Sequence, residues 1–505
     1  MIETPKRRVE RILQKLELVR EQGLECFGSD SHFFQLNTPL EEKALQKFES
    51  QQRIQLPEDY RAFLRYAGNG GAGPCYGIYP LEKWNHFVEW VCEEPLQDDL
   101  TLSCPLYLEM ERTPDWENNF QTTYPYQGTI SIGTQGCTYE ILLIVTGPFR
   151  GRVVYADADG QAPYLIQEVD FLAWYERWLD ELLAGYKMDG FGYGVGGTEE
   201  DFLAMVNNPD ATTSDRVEAV QAFWKLPKLS AYAQQQIQTW LSDPVDEIRA
   251  SACRLIRDFE LHDAEEAMAT LLLDSSSEVR QEAIMTLMQI APARWSEKIF
   301  QYLYDDDDEV AHKAFNALNT EGALTRSHLL DLINMSPNGQ IQYLAMHTIE
   351  WKEEDQDLLI KLLDHKHNMV RFYATLGLRQ IQARDAIAKV IEVLEDETDE
   401  NVIGSILKML GELGGEQGRD VLLLWAVKED DYFRLDAVDA LCSLGDERVA
   451  PIAKKMLQET KPPIRVDSNG FTTMMQFHSI SHLVDRSLRS SPSKVLQKLS
   501  STRSR

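Results

Sequence analysis

The sequence lacks the patterns that mark a secreted, membrane-spanning or metal-stabilised chain. Its 7 cysteines are scattered over 505 residues and no CxxC pair occurs, so neither a disulfide framework nor a zinc site is predicted. No apolar run approaches the roughly 18 residues that a membrane span needs. The first residues are charged and have no apolar centre of the signal-peptide kind. We therefore expect a cytoplasmic protein in a reducing compartment.

Positive charge is also scarce. The chain has 50 Lys and Arg residues against 81 Asp and Glu residues, a formal net charge of −31. Such a chain repels phosphate backbones, so we expect a basic protein as partner and not a nucleic acid. The exception is the Ser-rich segment 486–505, with six basic residues and no acidic one. It either folds back onto the acidic body or contacts an anionic surface, and both roles stay open.

Catalytic and ligand-binding motifs are missing too. The sequence has no GxSxG, HExxH, P-loop or protein-kinase motif. The run Asp305–Asp308 lacks the DxDxDG spacing of a calcium loop. His365 and His367 are two positions apart and cannot share a helix face for a metal. We predict a non-catalytic protein with no cofactor and no bound metal.

A short phrase returns along the second half of the chain. It begins with acidic or small polar residues, reaches a branched or aromatic residue, and often has an alanine four positions after that. The position after the branched residue recurs at intervals of 31, 31, 31, 29, 32 and 31, at Arg249, Arg280, Ala311, Gln342, Arg371, Ile403 and Arg434. A fainter copy, SDRVEA, lies at 214–219. Such a period is typical of stacked repeats.

Each repeat is predicted to hold two helices. The acids open the first helix, where they cap free N–H groups and oppose the helix dipole. A second apolar helical run follows, for example at 264–273 or 384–395. Pairs of helices stacked in this way build an α-solenoid. The phrase resembles short HEAT repeats, a variety also found in phycobilisome-lyase-type proteins, and we place roughly eight of them over residues 199–460.

The first part of the chain mixes helix and strand patterns. Helices are predicted over 5–22 and 39–52, and LPEDYRAFL starts another after Pro57, with a glycine-rich turn behind it. Dense β-branched residues over 129–160 predict strands with a hairpin at TGPFRG. FLAWYERWLDELL at 171–183 predicts a closing helix.

These ordered motifs, with the YGIYPLE sequence after the glycine turn, resemble the SUKH superfamily of Smi/Knr-type α+β domains over residues 38–185. One departure is Val154, where many relatives carry tryptophan. The resemblance implies a binding domain without catalytic residues. In bacteria such domains mostly act as immunity proteins that neutralise toxins, and fungal relatives act in cell-wall signalling.

The predicted fold class is an α+β N-terminal SUKH-like domain followed by an all-α HEAT-like solenoid. A helical extension at 1–37 precedes the SUKH-like domain at 38–185. A glycine-rich linker at 186–198, with five glycines between 190 and 197, is predicted to be flexible. The repeats at 199–460 then lead to an irregular segment and basic tail at 461–505.

Partner contact in the SUKH-like domain is predicted for residues of exposed loops. The alternative for the large apolar residues of the motifs, such as Trp174 and Trp178, is a place in the core. The candidate contact residues are Asn69, Tyr76, Tyr79, Asp157 and Asp159.

Acidic runs at 305–309, 353–355 and 395–400 are predicted to lie in turns that align along one edge of the stack. This edge, with Asp306, Asp307 and Asp308, is either a docking strip for a basic partner or a solvated, capped edge. The repeat arginines are interpreted as a structural ladder and not as phosphate ligands, because each follows an acid by four to seven positions. Three of the arginines are predicted to have Asp243, Asp274 or Asp364 as a partner between neighbouring repeats. The ladder residues are Asp243, Arg249, Asp274, Arg280, Asp364, Arg371 and Arg434.

We therefore expect an immunity protein that blocks a toxin by direct contact, and the acidic body favours a basic toxin. The alternative is a HEAT-repeat scaffold or adaptor in cell-envelope or stress signalling. A third reading, an enzyme of the bilin-lyase type, would require a chromophore partner. The sequence leaves the oligomeric state open.

Overall fold

A computed structural model of the chain describes residues 3–87, 100–107, 125–428, 433–458, 464–466 and 472–474. The chain divides into two compact units, residues 1–290 and 291–505. Unit 1 contains the mixed N-terminal domain and the first repeats, and unit 2 contains the later repeats. No helix of the described ranges is long and apolar enough to cross a membrane.

Four helices of the N-terminal domain lie where the apolar spacing predicts them. They are α1 (Pro5–Glu21), α2 (Glu42–Gln52), α3 (Glu58–Tyr66) and α4 (Phe171–Leu183). α3 begins directly after Pro57, which sets the dihedral angle at the start of the helix. α1 buries Val9, Ile12 and Leu16 in the same core as Trp174 and Trp178. Segment 1–37, predicted as an extension, therefore contributes directly to the core of the domain.

The sheet of this domain is antiparallel in the order β1-β2-β3-β4. Its strands are β1 (Thr129–Gly136), β2 (Tyr139–Ile144), β3 (Val153–Asp157) and β4 (Tyr164–Leu165). β2 and β3 form the predicted hairpin, with Leu143 opposite Val153. Side chains alternate between the faces of a strand. Ile141 and Leu143 accordingly join the core that contains the helices, and Leu142 joins a second cluster on the other face.

The glycine-rich segment 186–198 is not a free linker, which corrects the prediction of flexibility. It has no helix in the structure, as its glycines predict, but Phe191 and Val195 are buried. The hydroxyl of Tyr155 donates a hydrogen bond of 2.9 Å to the Phe191 carbonyl. The segment therefore packs against the N-terminal domain because its apolar residues and carbonyls find partners there.

The repeats consist of helix pairs, as predicted. In unit 1 the helices are α5 (Glu199–Val206), α6 (Thr213–Gln221), α7 (Ala231–Trp240), α8 (Asp246–Asp258), α9 (Glu265–Thr270) and α10 (Ser277–Ile290). In unit 2 they are α11 (Pro292–Ile299), α12 (Asp308–Thr320), α13 (Arg326–Met335), α14 (Gly339–Thr348), α15 (Gln356–Leu362), α16 (Asn368–Gln380), α17 (Ile387–Asp396), α18 (Glu400–Leu413), α19 (Gly415–Ala426), α20 (Arg434–Ser443) and α21 (Ala450–Gln458). Within the predicted irregular segment 461–505, two short strands, β5 (Ile464–Val466) and β6 (Thr472–Met474), pair with each other.

We call the helix that follows each phrase a first helix: α6, α8, α10, α12, α14, α16, α18 and α20. Within each unit, successive first helices pack directly on one another, as α14 does on α16 and α16 on α18. The other helix of each pair, the second helix, packs on one side of this row, as α15 does on α16 and α19 on α20. The branched phrase residue and the following alanine point into this packing, so Ile248, Ala252 and their counterparts are fully buried. The repeated phrase is therefore the packing surface between repeats.

Candidate functional site

The ladder arginines join neighbouring repeats. Arg249 makes two hydrogen bonds to the carboxylate of Asp274, at 2.7 and 2.8 Å, and a third to the carbonyl of Asp243 at 2.9 Å. Arg371 repeats this geometry with Glu397, at 2.7 and 2.8 Å, and with the carbonyl of His365. Each of these guanidinium groups thus donates to a backbone carbonyl of its own turn and to a carboxylate in the turn of the next phrase.

Two predicted ladder partners need correction. Asp364 does not pair with Arg371, because the turn that contains Asp364 precedes Arg371 in the same repeat. Its carboxylate instead pairs with the ammonium group of Lys389 at 2.9 Å. Asp243 pairs with Arg216 of the preceding, fainter repeat at 2.5 Å.

The other two ladder arginines contact backbone carbonyls. Arg280 donates to the carbonyl of Asp274, in its own repeat, at 2.9 Å. Arg434 is buried, and its Nε donates to the carbonyl of Ala426, at the end of α19 in the preceding repeat, at 3.2 Å.

The acidic runs do not align on one edge. Runs 305–309 and 395–400 lie in turns before first helices, but Glu353–Asp355 precedes the second helix α15, in the other kind of turn. The carboxylate of Asp355 also accepts two hydrogen bonds from Arg326. Residues 353–355 are therefore not part of the predicted acidic strip.

The three aspartates proposed for the strip differ in their surroundings. Asp306 is exposed. Asp307 caps α12 by accepting hydrogen bonds from two backbone N–H groups. Asp308 accepts a hydrogen bond from Asn338 at 2.7 Å. Two of the three carboxylates thus have a structural partner.

Two predicted contact residues of the SUKH-like domain also have structural partners. Asn69 joins the glycine turn to residues 81–82: it accepts from the Leu81 N–H at 2.8 Å and donates to Glu82 at 2.9 Å. Asp157 is only 5% exposed, since it ends β3 and accepts from the Gln161 N–H. The expectation that Asp157 lies in an exposed loop is wrong. Asp159 is exposed, as expected.

Tyr79 lies beside a buried acid. Burial raises the pKa of Glu140 to about 7, although the neighbouring His86, at 3.0 Å, favours the ionised form. The Tyr79 ring packs edge-on against His86, and the ammonium group of Lys83 lies 4.9 Å from its centre. Burial, and then Glu140, raise the pKa of Tyr79 to about 12. Tyr79 is therefore part of a half-buried polar cluster.

Tyr76 belongs to an exposed group of aromatic side chains, which we call the aromatic rim: Phe27, Phe33 and Tyr76. Their exposed fractions are 58%, 70% and 41%. The rings of Phe27 and Tyr76 meet edge-on at 5.3 Å. A single turn of chain separates Phe27 from Phe33, closed by the hydrogen bond from the Phe33 N–H to the Ser29 carbonyl at 2.7 Å. Exposed rings grouped in this way are characteristic of interaction surfaces.

A cavity of about 280 Å³ opens beside the rim. Helix α4, the turn at 74–77 and the glycine-rich segment supply its walls. Its lining is mostly apolar and consists of Cys26, Phe27, Pro74, Cys75, Gln135, Trp178, Met188, Asp189, Gly190 and Phe191. The cavity has room for one large side chain of a bound polypeptide.

The backbone that carries the rim adopts unusual conformations. Phe33 and Phe34 both have φ near +50°, at 49° and 54°, in the left-handed region that bulky residues avoid. Phe34 gains in return a stacked contact with Trp178 at 5.8 Å, which leaves Phe33 turned toward solvent. Gly28 has φ +75°, and a Cβ atom there would lie 2.4 Å from the Cys75 carbonyl oxygen. The fold thus holds an exposed ring in a strained position, which is a pattern found at binding sites.

Asp189 is the acidic residue of the lining, whereas the thiols of Cys26 and Cys75 and the nearby His32 are uncharged near neutral pH. Burial raises the pKa of the Cys26 thiol, and it raises that of Cys75 to about 12, so both thiols stay protonated. Burial lowers the pKa of His32, and its Nδ1 accepts a hydrogen bond from the Phe34 N–H at 3.0 Å. These groups contribute apolar surface and shape.

A buried charged cluster ties the N-terminal domain to the first repeat. Glu181 of α4 accepts from Arg177 at 2.8 Å and from Lys225 at 3.0 Å. Lys225, which follows α6, also donates to the Val195 carbonyl at 2.7 Å. All three side chains are buried. The domain, the glycine-rich segment and the first repeat are thus held together by mutually satisfied charges.

The sequence identified Tyr76 but not Phe27 or Phe33, because both lie in a segment read as an extension. The available signal was CFGSDSHFF at 26–34, in which aromatic residues interrupt a polar, glycine-containing turn. Their joint position also depends on the contact between Gly28 and Cys75, which spans a long stretch of chain.

No curated protein matches the chain. Similar solved structures include YibA of Escherichia coli, with 18% identity over 58% of this chain and 93% of that chain and a TM-score of 0.34. Kap95p, solved with RanGDP, has 12% identity over 65% and 49% of the two chains and a TM-score of 0.41. Human deoxyhypusine hydroxylase has 18% identity over 48% and 95%, with a TM-score of 0.22. Similarities this low carry no information on function.

Family models match the two parts separately. HEAT repeats match residues 235–319 and 387–468. The SMI1/KNR4 family model, SUKH-1, matches residues 39–176, which include α2, α3, the sheet and the first part of α4. The chain is therefore a fusion of a SUKH-1 domain, of the SMI1/KNR4 family, with HEAT repeats.

Proposed function

We propose that the protein binds a toxin in the cytoplasm and neutralises it by contact, without turning over a substrate. The observation that carries the proposal is the aromatic rim beside an apolar cavity of about 280 Å³. Aromatic anchors next to a desolvated pocket are the usual energetic centres of protein interfaces. The SUKH-1 domain adds the immunity role, since bacterial members of that superfamily mostly act on toxins.

In this mechanism an apolar side chain of the toxin enters the cavity, and the rings of Phe27 and Tyr76 pack against its flanks. Burying one such side chain contributes about 1.5–3 kcal/mol. Phe33 is already held in its exposed position, so little conformational freedom is lost on binding. The net charge of −31 speeds the approach of a basic toxin. Inhibition follows when the bound SUKH-1 domain covers the toxin's active surface.

The test starts with capture of the partner from native lysate and its co-expression with this chain in a growth-rescue assay. We expect rescue by the wild type and loss of rescue by Phe27→Ser with Tyr76→Ser. The affinity of the double variant should fall by at least tenfold. Tyr66→Ser is the matched control, because Tyr66 is 44% exposed on α3 and lies outside the cavity lining. A captured protein that does not slow growth, or full rescue by the double variant, would contradict the proposal.

A scaffold or adaptor role in cell-envelope or stress signalling is the second candidate. The HEAT repeats favour it, because stacked helix pairs offer an extended surface for a second protein. Under this reading the rim variants would reduce binding to a partner that has no effect on growth. The growth-rescue assay therefore separates the two functions.

A further inference from the structure

Unit 2 has a half-exposed aromatic surface on two neighbouring first helices, which we call the aromatic platform: Tyr343 and His347 of α14, with Phe372 and Tyr373 of α16. The rings of Tyr343 and Tyr373 stack at 6.0 Å with planes 7° apart. His347 and Phe372 meet Tyr373 edge-on at 5.5 and 5.2 Å. The opposite faces of both helices form the core, so the platform is the solvent side of the stack.

A groove of about 460 Å³ follows on the next two first helices, α18 and α20. Gly404 and Gly411 of α18 leave its floor without side chains, and a Cβ atom at Gly411 would come within 2.8 Å of the Ala440 side chain. Its walls hold the acids Glu412, Asp436 and Asp439, with Lys408 as the basic residue among the lining. Arg379 of α16 pairs with Glu412 at 3.0 Å, so the acidic character of the groove comes mainly from Asp436 and Asp439.

Platform and groove belong to the same face of unit 2. Phe372 and Gly404 each come one residue after the repeating position, at Arg371 and Ile403. α16 and α18 pack directly on each other, as do α18 and α20. The face thus continues from the aromatic platform across four helices to the acidic groove.

We propose that this face binds the chain's own basic segment, residues 486–505. The segment has six basic residues and no acidic one, which complements the groove acids. It also contains Leu488, Val495, Leu496 and Leu499, whose apolar side chains suit the platform rings. An acidic groove beside stacked aromatic rings recognises Lys and Arg through both charge and cation–π contact.

The segment is within reach of this face. The last described helix of the stack, α21, packs on α20, which forms one wall of the groove. Because β5 and β6 pair with each other, residues 464–474 return the chain to where the pair begins, and the remaining residues of 459–485 span up to about 50 Å when extended. Four neighbouring helices at 8–10 Å spacing cover only about 30 Å. Because the segment is tethered, its effective concentration at the face is high, so a weak contact is well occupied. This inference does not depend on the proposed toxin-binding function.

Photo-cross-linking in the full chain tests the proposal. With benzoylphenylalanine at Leu496, we expect cross-links within one chain to residues 343–376 or 404–443. Lys494→Glu with Lys498→Glu should lower their yield at least fivefold. Lys361→Glu with Lys454→Glu, which changes charge equally at exposed sites elsewhere, should leave the yield unchanged. Cross-links to other residues, or between two chains, would overturn the proposal, the second result indicating another copy as occupant.

A peptide of residues 486–505 added in trans provides the second measurement. The full chain carrying Lys494→Glu and Lys498→Glu should bind it on the order of tenfold more tightly than the wild type, whose own segment competes. Asp436→Asn with Asp439→Asn should remove most of that gain, and a cooperative thermal melt of the full chain checks that this variant is folded. Equal peptide affinity for wild type and Lys variant would refute occupation by the tethered segment.

The matched control for the groove variants neutralises two exposed acids on the second-helix side, through Asp385→Asn and Glu395→Gln. These changes alter the net charge by the same amount and should leave peptide affinity unchanged. An equal loss in control and groove variants would indicate binding through overall charge and would also overturn the proposal.

Discussion

The contact between Arg249 and Asp274 should stabilise the repeat stack more than an ordinary surface ion pair does. The two side chains are only 13% and 9% exposed, and two parallel hydrogen bonds join them. Hydrogen bonds to charged groups contribute about 1.5–3 kcal/mol when shielded from water. We therefore expect a coupling energy of about 2 kcal/mol between Arg249→Ala and Asp274→Ala.

The measurement is a double-mutant cycle from urea unfolding followed by circular dichroism. Arg254 and Glu278 provide the comparison, because this pair also joins α8 to α10 but is 34% and 51% exposed. Its coupling energy should stay near 0.5 kcal/mol, as for exposed pairs in general. If the Arg249 cycle also gives about 0.5 kcal/mol or less, the ladder is not a stabilising element and our reasoning is wrong.

The pH dependence gives an independent check. Burial alone would raise the pKa of Asp274, but the guanidinium of Arg249 and the Ser276 N–H outweigh it and hold this pKa below its ordinary value of 3.8. A carboxylate with a lowered pKa stabilises the fold fully above that ordinary value and loses the contribution as pH falls through the lowered one. The coupling energy should therefore be constant near neutral pH and decrease in acid below 3.8.

Three further predictions concern the N-terminal domain. Gly28→Ala should lower the melting temperature clearly more than Gly23→Ala. Both glycines have positive φ, but only at Gly28 would a Cβ atom lie 2.4 Å from the Cys75 carbonyl oxygen. Thermal melts compare the two variants, and an equal decrease in melting temperature would contradict the clash. Glu140→Gln should remove a decline in stability between pH 4.5 and about 7, because burial raises the folded-state pKa of Glu140 to about 7 and its stabilising, protonated form is lost as pH rises through that value; a wild-type melting profile that is flat over this range would refute the assignment. Glu181→Ala should cost about 3–5 kcal/mol in urea unfolding, because two buried cations lose their shared carboxylate, and a loss under about 1 kcal/mol would show that they do not depend on it.

Local patterns predicted most of the fold. The apolar spacing of α1, the start of α3 after Pro57 and the β2–β3 hairpin depend on neighbouring residues, and the structure has all three. The 31-residue period also predicted the positions of the first helices, because each phrase acts on residues close to it in the sequence. Where the fold depends on distant contacts the sequence was less informative. Residues 186–198 were read as flexible because glycine is permissive, whereas Phe191 and Val195 find burial sites on the N-terminal domain.

The candidate site was predicted only in part. Tyr76 is exposed beside the cavity, whereas Asp157 is drawn into the end of β3. Phe27 and Phe33 could not be chosen from the sequence, because their positions depend on positive φ angles at Gly28 and Phe33 that ordinary propensities do not anticipate. The ladder pairs show the same limit: Arg371 pairs with Glu397 of the next repeat, and the predicted partner Asp364 pairs with Lys389.

The ladder also makes the stack mechanically uneven. Arg216, Arg249 and Arg371 each form an ion pair with an acid farther along the chain, in the next repeat. A pulling force is therefore transmitted between these neighbouring repeats through the ion pairs. At the equivalent positions Ala311, Gln342 and Ile403 there is no side chain that could carry it by an ion pair. A chain stretched from its ends should therefore yield first at those three repeats, and introducing arginine there should raise the force at which it does.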